Sequence, residues 1–283
     1  MGKGSRSAGL DPEVDYKSIY RNLALYEFPW DLNQSLSFAL FRTYAVPSIG
    51  RLLDETGEFE RRTQKRYDDT ALLLEVPLVE GTESPEGRAA VRRINQMHHR
   101  YDISNDDLRY VLATFVVVPK RWLDDYGWRP LTDAEVVASV RYYQDLGRHM
   151  GIKEIPESFE AFSDFTDAYE REHFAFDPGA RRVADSTLHL LTTFYPRPGR
   201  RLVEVFSRAI MDEPLLAAFR FDEPGPRARA VSAAALRARA RVVRLLPPRR
   251  KPKYVRTMHR IRSYPSGFDI AQLGTFAPPA RVR

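Results

Sequence analysis

The apolar positions of this chain recur mainly at intervals of three and four residues, the spacing that places side chains on one face of an α-helix. Few stretches alternate with the period of two that a half-buried strand requires. Pro and Gly residues cluster at intervals, among them at 77–85 and at Pro119, and divide the chain into about ten helical segments of ordinary length. The pattern therefore predicts an all-α fold, a single helical domain of about ten helices.

One segment, Val111 to Val118 (VLATFVVV), combines features of a strand and of a helix. Its β-branched residues favour a strand. Ser104, followed by Asn105, Asp106 and Asp107, has the residue types of a helix N-terminus with a capping box. We therefore expect this segment to lie within a buried helix.

The chain contains no Cys, which excludes disulfides, Cys-ligated zinc, iron–sulfur clusters and thiolate-ligated haem. Phosphate-binding glycine loops, the HExxH zinc motif and the GxSxG elbow are also absent from the sequence. The first residues lack the apolar stretch of a signal peptide, and the longest apolar runs fall short of the roughly 20 residues that span a membrane. We expect a soluble, cytoplasmic protein.

Charge is distributed unevenly along the chain. Residues 227–262 contain 13 Lys and Arg and no Asp or Glu, which leaves 31 cations against 38 acids elsewhere, a net −7. A mildly acidic body argues against a nucleic-acid partner. The basic segment predicts an amphipathic helix followed by an extended connector; a solvated surface helix and a contact with an anionic membrane or partner both stay open. We divide the chain into a helical core, 1–226, and an extension, 227–283, that packs on it.

A helix predicted from Ser84, Pro85 and Glu86 to about Tyr101 carries two adjacent histidines. Helical spacing places His98 on the interior face and His99 on another face. The residues that share the face of His98 are Ala90, Ile94, Met97 and Tyr101. From spacing alone, a buried core histidine and a ligand for iron or zinc both remain open for His98.

The preceding predicted helix, 57–75, places Arg66 and Thr70 on its core-facing stripe. A buried guanidinium needs an anionic or polar partner. Haem propionates, a carboxylate from another helix or a bound anion would all satisfy it, and an internal ion pair, with Asp69 as one candidate, also stays open.

Glu170 and His173 form one Glu-x-x-His step of the kind found in di-iron bundles. Such a site needs a second step, and none of the other five histidines follows a Glu at this spacing. A surface helix is therefore favoured there.

Several segments, in this order and spacing, resemble the haem-dependent oxygenase family of MpaB-type, ER-bound proteins and latex clearing protein. They are Arg66-x-x-x-Thr70, RINQMH ending at His98, Pro119-x-x-Trp122, YGWRPLT at 126–132 with Glu135, Met150-Gly151-Ile152, Ile155-Pro156 and YPSGF at 264–268. The resemblance implies an all-helical fold around a b-type haem, with His98 as the iron ligand and residues 1–226 as the haem-binding core. It also implies that Arg66 and Thr70 are haem-pocket and catalytic residues. At Asp69, latex clearing protein has a Lys close to the iron, so the chain is more similar to the MpaB-like branch.

The function that this resemblance implies is that of an oxidoreductase, a haem b-dependent oxygenase or peroxygenase that uses dioxygen or peroxide. Its substrate would be a hydrophobic small molecule, an isoprenoid or another secondary metabolite, with an alkene as a candidate reacting group. The alternative is a cofactor-free helical interaction protein that docks to an anionic membrane or partner through its basic C-terminal segment.

Overall fold

The computed structural model describes residues 5–275, which form helices and connecting turns without a β-strand, as the apolar pattern predicts. A π-helical segment, Leu23–Glu27, follows the first helix, and short 3-10 turns lie at Arg197–Gly199, Val255–Thr257 and Ile270–Gln272. The α-helices of this part of the chain are α1 (Tyr16–Asn22), α2 (Pro29–Thr43), α3 (Pro47–Glu55), α4 (Glu58–Arg61), α5 (Thr63–Glu80), α6 (Pro85–His98), α7 (Asn105–Tyr126), α8 (Asp133–His149), α9 (Phe159–His173), α10 (Pro178–Thr193), α11 (Arg200–Ala209), α12 (Glu213–Phe219) and α13 (Pro226–Leu245).

Side-chain caps fix the N-termini of the helices that matter most for the site. Ser84 accepts a hydrogen bond from the backbone N–H of Gly87 at 2.8 Å and begins α6. Ser104 accepts one from Asp107 at 3.0 Å and begins α7, so Val111 to Val118 is helical as expected. Each cap satisfies an N–H that has no partner within its helix.

Other helix boundaries differ from the sequence prediction. Pro77 and Pro119, expected at joints, are buried inside α5 and α7, where packing of the surrounding turns outweighs the roughly 3 kcal/mol cost of a helical proline. The helix predicted over 57–75 is divided at Arg62, whose backbone leaves the helical region with φ −143°. The helix predicted to reach Tyr101 ends at His98.

Helix α7 lies at the centre of the main apolar core, where it packs against α2, α8 and α9. A second apolar cluster joins α3, α10 and α12. The close approach of α3 to α10 requires Gly50, because a Cβ at this position would lie 2.4 Å from the Cβ of Ala180.

The predicted division at 226/227 remains a prediction, and its last residues, 276–283, lie outside the described part of the chain. Within the described part of the predicted extension, α13 contributes Leu236 to the main core. Within residues 5–275, every helix is too short or too polar to cross a bilayer.

A buried ionic cluster links α2, α7 and α9 with the N-cap residue of α12. Arg42 of α2 donates two hydrogen bonds to the carboxylate of Glu170 in α9 and one, at 2.5 Å, to Asp212. The hydroxyl of Tyr110 in α7 donates to Glu170 at 2.9 Å. Because the Arg42 and Glu170 side chains are both less than one tenth exposed, removal of one charge leaves the other without its main partner.

We expect Glu170→Ala to lower the free energy of unfolding by about 3 kcal/mol, since it leaves the Arg42 guanidinium buried with only Asp212. Urea unfolding followed by circular dichroism measures this effect. The control is Glu172→Ala on the same helix, where an exposed carboxylate should change stability by less than about 0.5 kcal/mol. Equal effects of the two substitutions would contradict the assignment.

Candidate functional site

A cavity of about 740 Å³ lies between α2, α5, α6, α7 and α11. This volume is within the range of about 300–1,000 Å³ that is usual for sites that bind small molecules and cofactors. Its walls are mainly apolar and include Leu74, Val111, Phe115, Leu146, Phe206 and Ile210. The cavity therefore suits a large hydrophobic ligand.

His98, the last residue of α6, lines this cavity. Burial, with a smaller contribution from the nearby Arg66 and His99, lowers the pKa of His98 to about 4. The His98 ring forms no hydrogen bond within residues 5–275. At neutral pH the imidazole is therefore uncharged and has a nitrogen lone pair available to a metal ion.

Arg66 and Thr70 of α5 line the same cavity, as their predicted positions on the core-facing stripe require. Nη1 of Arg66 donates to Oγ1 of Thr70 at 2.5 Å, and the Thr70 hydroxyl donates to the backbone oxygen of Arg66 at 3.0 Å. Thr70 thus fixes the orientation of the guanidinium. Within residues 5–275, Arg66 forms no ion pair with a carboxylate.

Asp69 is not the partner of Arg66, so that alternative from the sequence is wrong. Its carboxylate accepts hydrogen bonds from Lys65 at 2.6 Å and from the hydroxyl of Tyr264, on the side of α5 away from the cavity wall. The negative charge of Asp69 is therefore satisfied elsewhere, and the guanidinium of Arg66 is left for a ligand.

A C-terminal strap, residues 253–275, crosses α5 and α6 and forms one border of the cavity. Three buried carboxylates of α5 hold it. Asp68 accepts from the backbone N–H groups of residues 262 and 263 at 3.0 and 2.8 Å, and Glu75 accepts from Nε of Arg256 at 2.7 Å and from the backbone of Val255. Asp69 binds Tyr264 as described above. Lys253, Val255, Met258, Arg260 and Thr275 of the strap line the cavity.

These anchors are not among the residues predicted from the sequence, although the chain carries a signal for them. Asp68, Asp69 and Glu75 are acidic residues among the core positions of α5, and the segment 227–262 offers cations without a single acid. Buried carboxylates require donors, and a segment rich in cations and free backbone N–H groups can supply them.

In two further groups of carboxylates and histidines, protein side chains within the described residues already contact the acids. Glu170, the first residue of the Glu-x-x-His step, is bound to Arg42 and Tyr110. In the cluster of Glu83, Asp145 and His149, the ammonium group of Lys17 lies 2.6 Å from Glu83 and 3.4 Å from Asp145, so an ion pair already satisfies these acids.

An all-helical shell surrounds an apolar cavity, and the described part of its wall holds the neutral imidazole of His98 and the guanidinium of Arg66, together with the cations Arg51, Lys253 and Arg260. This arrangement is typical of proteins that bind a large hydrophobic ligand. Residues 32–245 match the model of the family described as ER-bound oxygenase mpaB/B'/rubber oxygenase, catalytic domain. The chain belongs to this family, as its sequence segments indicate.

About a third of the aligned residues are identical between the chain and its curated relatives. It is 32% identical over 250 residues to the ER-bound oxygenase mpaB' of Penicillium brevicompactum, a match that covers 82% of this chain and 59% of that protein. It is 33% identical over 233 residues to the ER-bound oxygenase mpaB of the same species, with 76% and 59% covered. The chain thus spans about three fifths of the length of these two relatives.

Among solved structures, latex clearing protein in its closed state superposes with a TM-score of 0.52 at 15% identity. The superposition covers 89% of this chain and 72% of that protein. This likeness shows that the two proteins share the helical fold.

In the cofactor-free protein, we expect His98 to titrate near pH 4 and Arg66→Gln to raise its pKa toward 6.5, because the substitution removes a nearby positive charge. Since the pKa of His98 is lower in the folded protein than in the unfolded chain, the unfolded chain binds more protons than the folded protein between pH 4 and pH 6.5. The contribution of His98 to stability is therefore present above pH 6.5 and is lost as the pH falls toward 4.

Histidine-selective NMR titration measures this pKa. Arg62→Gln, which removes an exposed cation of the same type, is the matched control and should leave the His98 pKa unchanged. A His98 that titrates near 6.5 in the unsubstituted protein, or an unchanged value in Arg66→Gln, would contradict the geometry of the site.

Proposed function

We propose that the cavity binds a b-type haem with His98 as the iron ligand, and that the protein is a haem-dependent oxygenase or peroxygenase for a hydrophobic substrate. The observation that carries this proposal is the uncharged imidazole of His98 in the wall of an apolar cavity of about 740 Å³. Membership of an oxygenase family supports the class of reaction.

The groups in the cavity wall match what a b-type haem requires. Its iron is most often held by a histidine, and His98 is the histidine among the described residues that line the cavity. The macrocycle needs apolar walls, which most of the lining provides. The propionates need cations, and Arg66 faces the cavity without a carboxylate partner in residues 5–275.

When bound, a haem would supply the capacity to activate dioxygen or peroxide. His98 would hold the iron through its neutral ring, which is available at any pH well above 4. Arg66 would neutralise a propionate or developing negative charge, and Thr70 keeps its guanidinium oriented through the hydrogen bond of 2.5 Å. The apolar walls exclude water and bind the substrate.

The same walls define the class of substrate. Four carboxylates line the cavity in the described residues: Glu75 binds the strap, Asp107 accepts hydrogen bonds from Ser48 and Tyr169, and Glu55 and Asp102 are exposed to solvent. An apolar molecule without a cationic group therefore fits best, such as an isoprenoid or another secondary metabolite with an alkene as the reacting group. Dioxygen or peroxide is the oxidant.

We expect haem-loaded protein to show a Soret band characteristic of histidine ligation, and His98→Ala to lose it, because the substitution removes the ligand nitrogen. Absorption spectra of the oxidised protein and of the reduced protein with carbon monoxide measure this change. Free imidazole added to His98→Ala should restore the spectrum, since the cavity left by the ring accepts the same ligand.

The matched control is His99→Ala, whose exposed ring lies one residue further along the chain. It should retain the spectrum of the unsubstituted protein. A histidine-ligated spectrum in His98→Ala without imidazole, or no Soret band in the unsubstituted protein after haem is added, would refute the haem assignment.

We expect haem-loaded protein to transfer labelled oxygen to isoprenoid alkenes, because the apolar cavity places such a substrate beside the site of His98. Mass spectrometry of products formed with isotopically labelled dioxygen or labelled peroxide detects the transfer and identifies the oxidant. His98→Ala should form no labelled product. A correctly loaded protein that labels none of a broad panel of alkenes with either oxidant would contradict the oxygenase proposal while leaving haem binding intact.

A further inference from the structure

Helix α13 has two apolar faces. Its inner face buries Leu236 and Ala240 against the core. Its outer face carries a second apolar row at helical spacing, with every member exposed: Val231, Ala234, Ala235, Ala238, Val242 and Leu245. Val231, Val242 and Leu245 are 67%, 58% and 86% exposed, which leaves a row of large apolar side chains in contact with solvent.

The neighbouring helix α11, which packs against α13, also exposes apolar side chains. Its Leu202 is 71% exposed, and Val205 on the same side is also exposed. Contiguous exposed apolar side chains on a soluble surface usually mark a site of interaction. We call the outward side of α11 and α13 the outer face.

The charge beside this face identifies the partner. Arg241 and Arg244 are exposed and form no ion pair within residues 5–275, and Arg249, Arg250 and Lys251 follow directly. Two copies of α13 placed face to face would bring Arg against Arg, with no acid between 227 and 262 to compensate. A partner that is apolar in its interior and negatively charged at its surface satisfies both the apolar row and the cations.

We propose that the outer face of α11 and α13 docks onto the surface of an anionic lipid bilayer. The apolar row enters the boundary between headgroups and acyl chains, and the flanking cations contact acidic headgroups. The helix lies in the plane of the surface, because its inner face remains packed on the core.

Docking would bring the cavity close to the bilayer. Val203 and Phe206 of α11 line the cavity, one residue away from the exposed Leu202 and Val205. Arg239 of α13 lies 3.8 Å above the ring of Trp30, another residue of the cavity wall. The helices that form the outer face thus also border the cavity, and a substrate dissolved in the bilayer would have a short path to it. This last point rests on the proposed function, whereas the docking itself does not.

Cosedimentation of the full chain with vesicles tests the docking. Phosphatidylcholine vesicles are compared with vesicles that also contain about 30% phosphatidylserine, at low salt and at about 0.5 M NaCl. We expect at least about tenfold stronger binding to the anionic vesicles, and loss of most of that binding at high salt. The double substitution V242E/L245E should weaken binding by about tenfold or more, because it places charge in the apolar row.

Two further variants complete the test. R241E/R244E should abolish the preference for anionic vesicles. V14E places a charge on an apolar residue that is 74% exposed outside α11 and α13, and should bind as the unsubstituted protein does. Equal circular dichroism spectra and equal Tm values for all variants show that each one folds.

The proposal is overturned if the unsubstituted protein binds neither kind of vesicle, or if V242E/L245E binds as well as V14E. It is also overturned if light scattering shows a concentration-dependent dimer that V242E/L245E dissociates while vesicles bind no protein. The second copy would then be the occupant of the outer face. Haem content and turnover do not enter these measurements, so failure here leaves the proposed function standing.

Discussion

The structure depends on the pairing of buried charges along α5. This helix carries carboxylates and a guanidinium at positions that face the interior, and a charge in such a place is stable only with a partner. Asp68, Asp69 and Glu75 find their donors on the strap and on Lys65. Arg66 lies a few residues away on the other side of the helix. Its guanidinium donates a hydrogen bond to the hydroxyl of Thr70 and lines the cavity.

The two sides of α5 have different roles in the site. The acidic side fixes the strap, which closes one border of the cavity with Met258 and its neighbours. The other side presents a cation that is complementary to an anionic group at the edge of a ligand. His98 comes from the next helix, and burial keeps its ring uncharged, so the apolar walls present an imidazole nitrogen together with the positive charge of Arg66.

The sequence predicts those features that depend on local pattern. Helical spacing is sufficient to place His98, Arg66 and Thr70 toward the interior, and the cap residues Ser84 and Ser104 mark two helix starts. Features that depend on distant contacts are not visible in the pattern. The burial of Pro119 inside α7 results from packing by several other helices. Asp69 binds Tyr264 across 195 residues of chain, which no local spacing could indicate.

For the basic segment, 227–262, the sequence predicts the helix but not the side of it that meets the core. Its composition predicts an amphipathic helix, and α13 confirms the helix. A helix with apolar residues on two sides gives no periodicity from which to decide which side meets the core. In the folded protein Leu236 is buried and Leu245 is exposed, and this difference distinguishes the two sides.

The central claim is that the cavity between α5 and α6 holds a haem iron on His98, with Arg66 at the edge of the macrocycle. A crystal structure of the haem-loaded chain, with diffraction data collected at the iron absorption edge, tests it most directly. The account predicts one anomalous peak at bonding distance from a ring nitrogen of His98 and a propionate in contact with Arg66. An iron peak bound elsewhere, or a macrocycle that lies outside this cavity, would contradict the account.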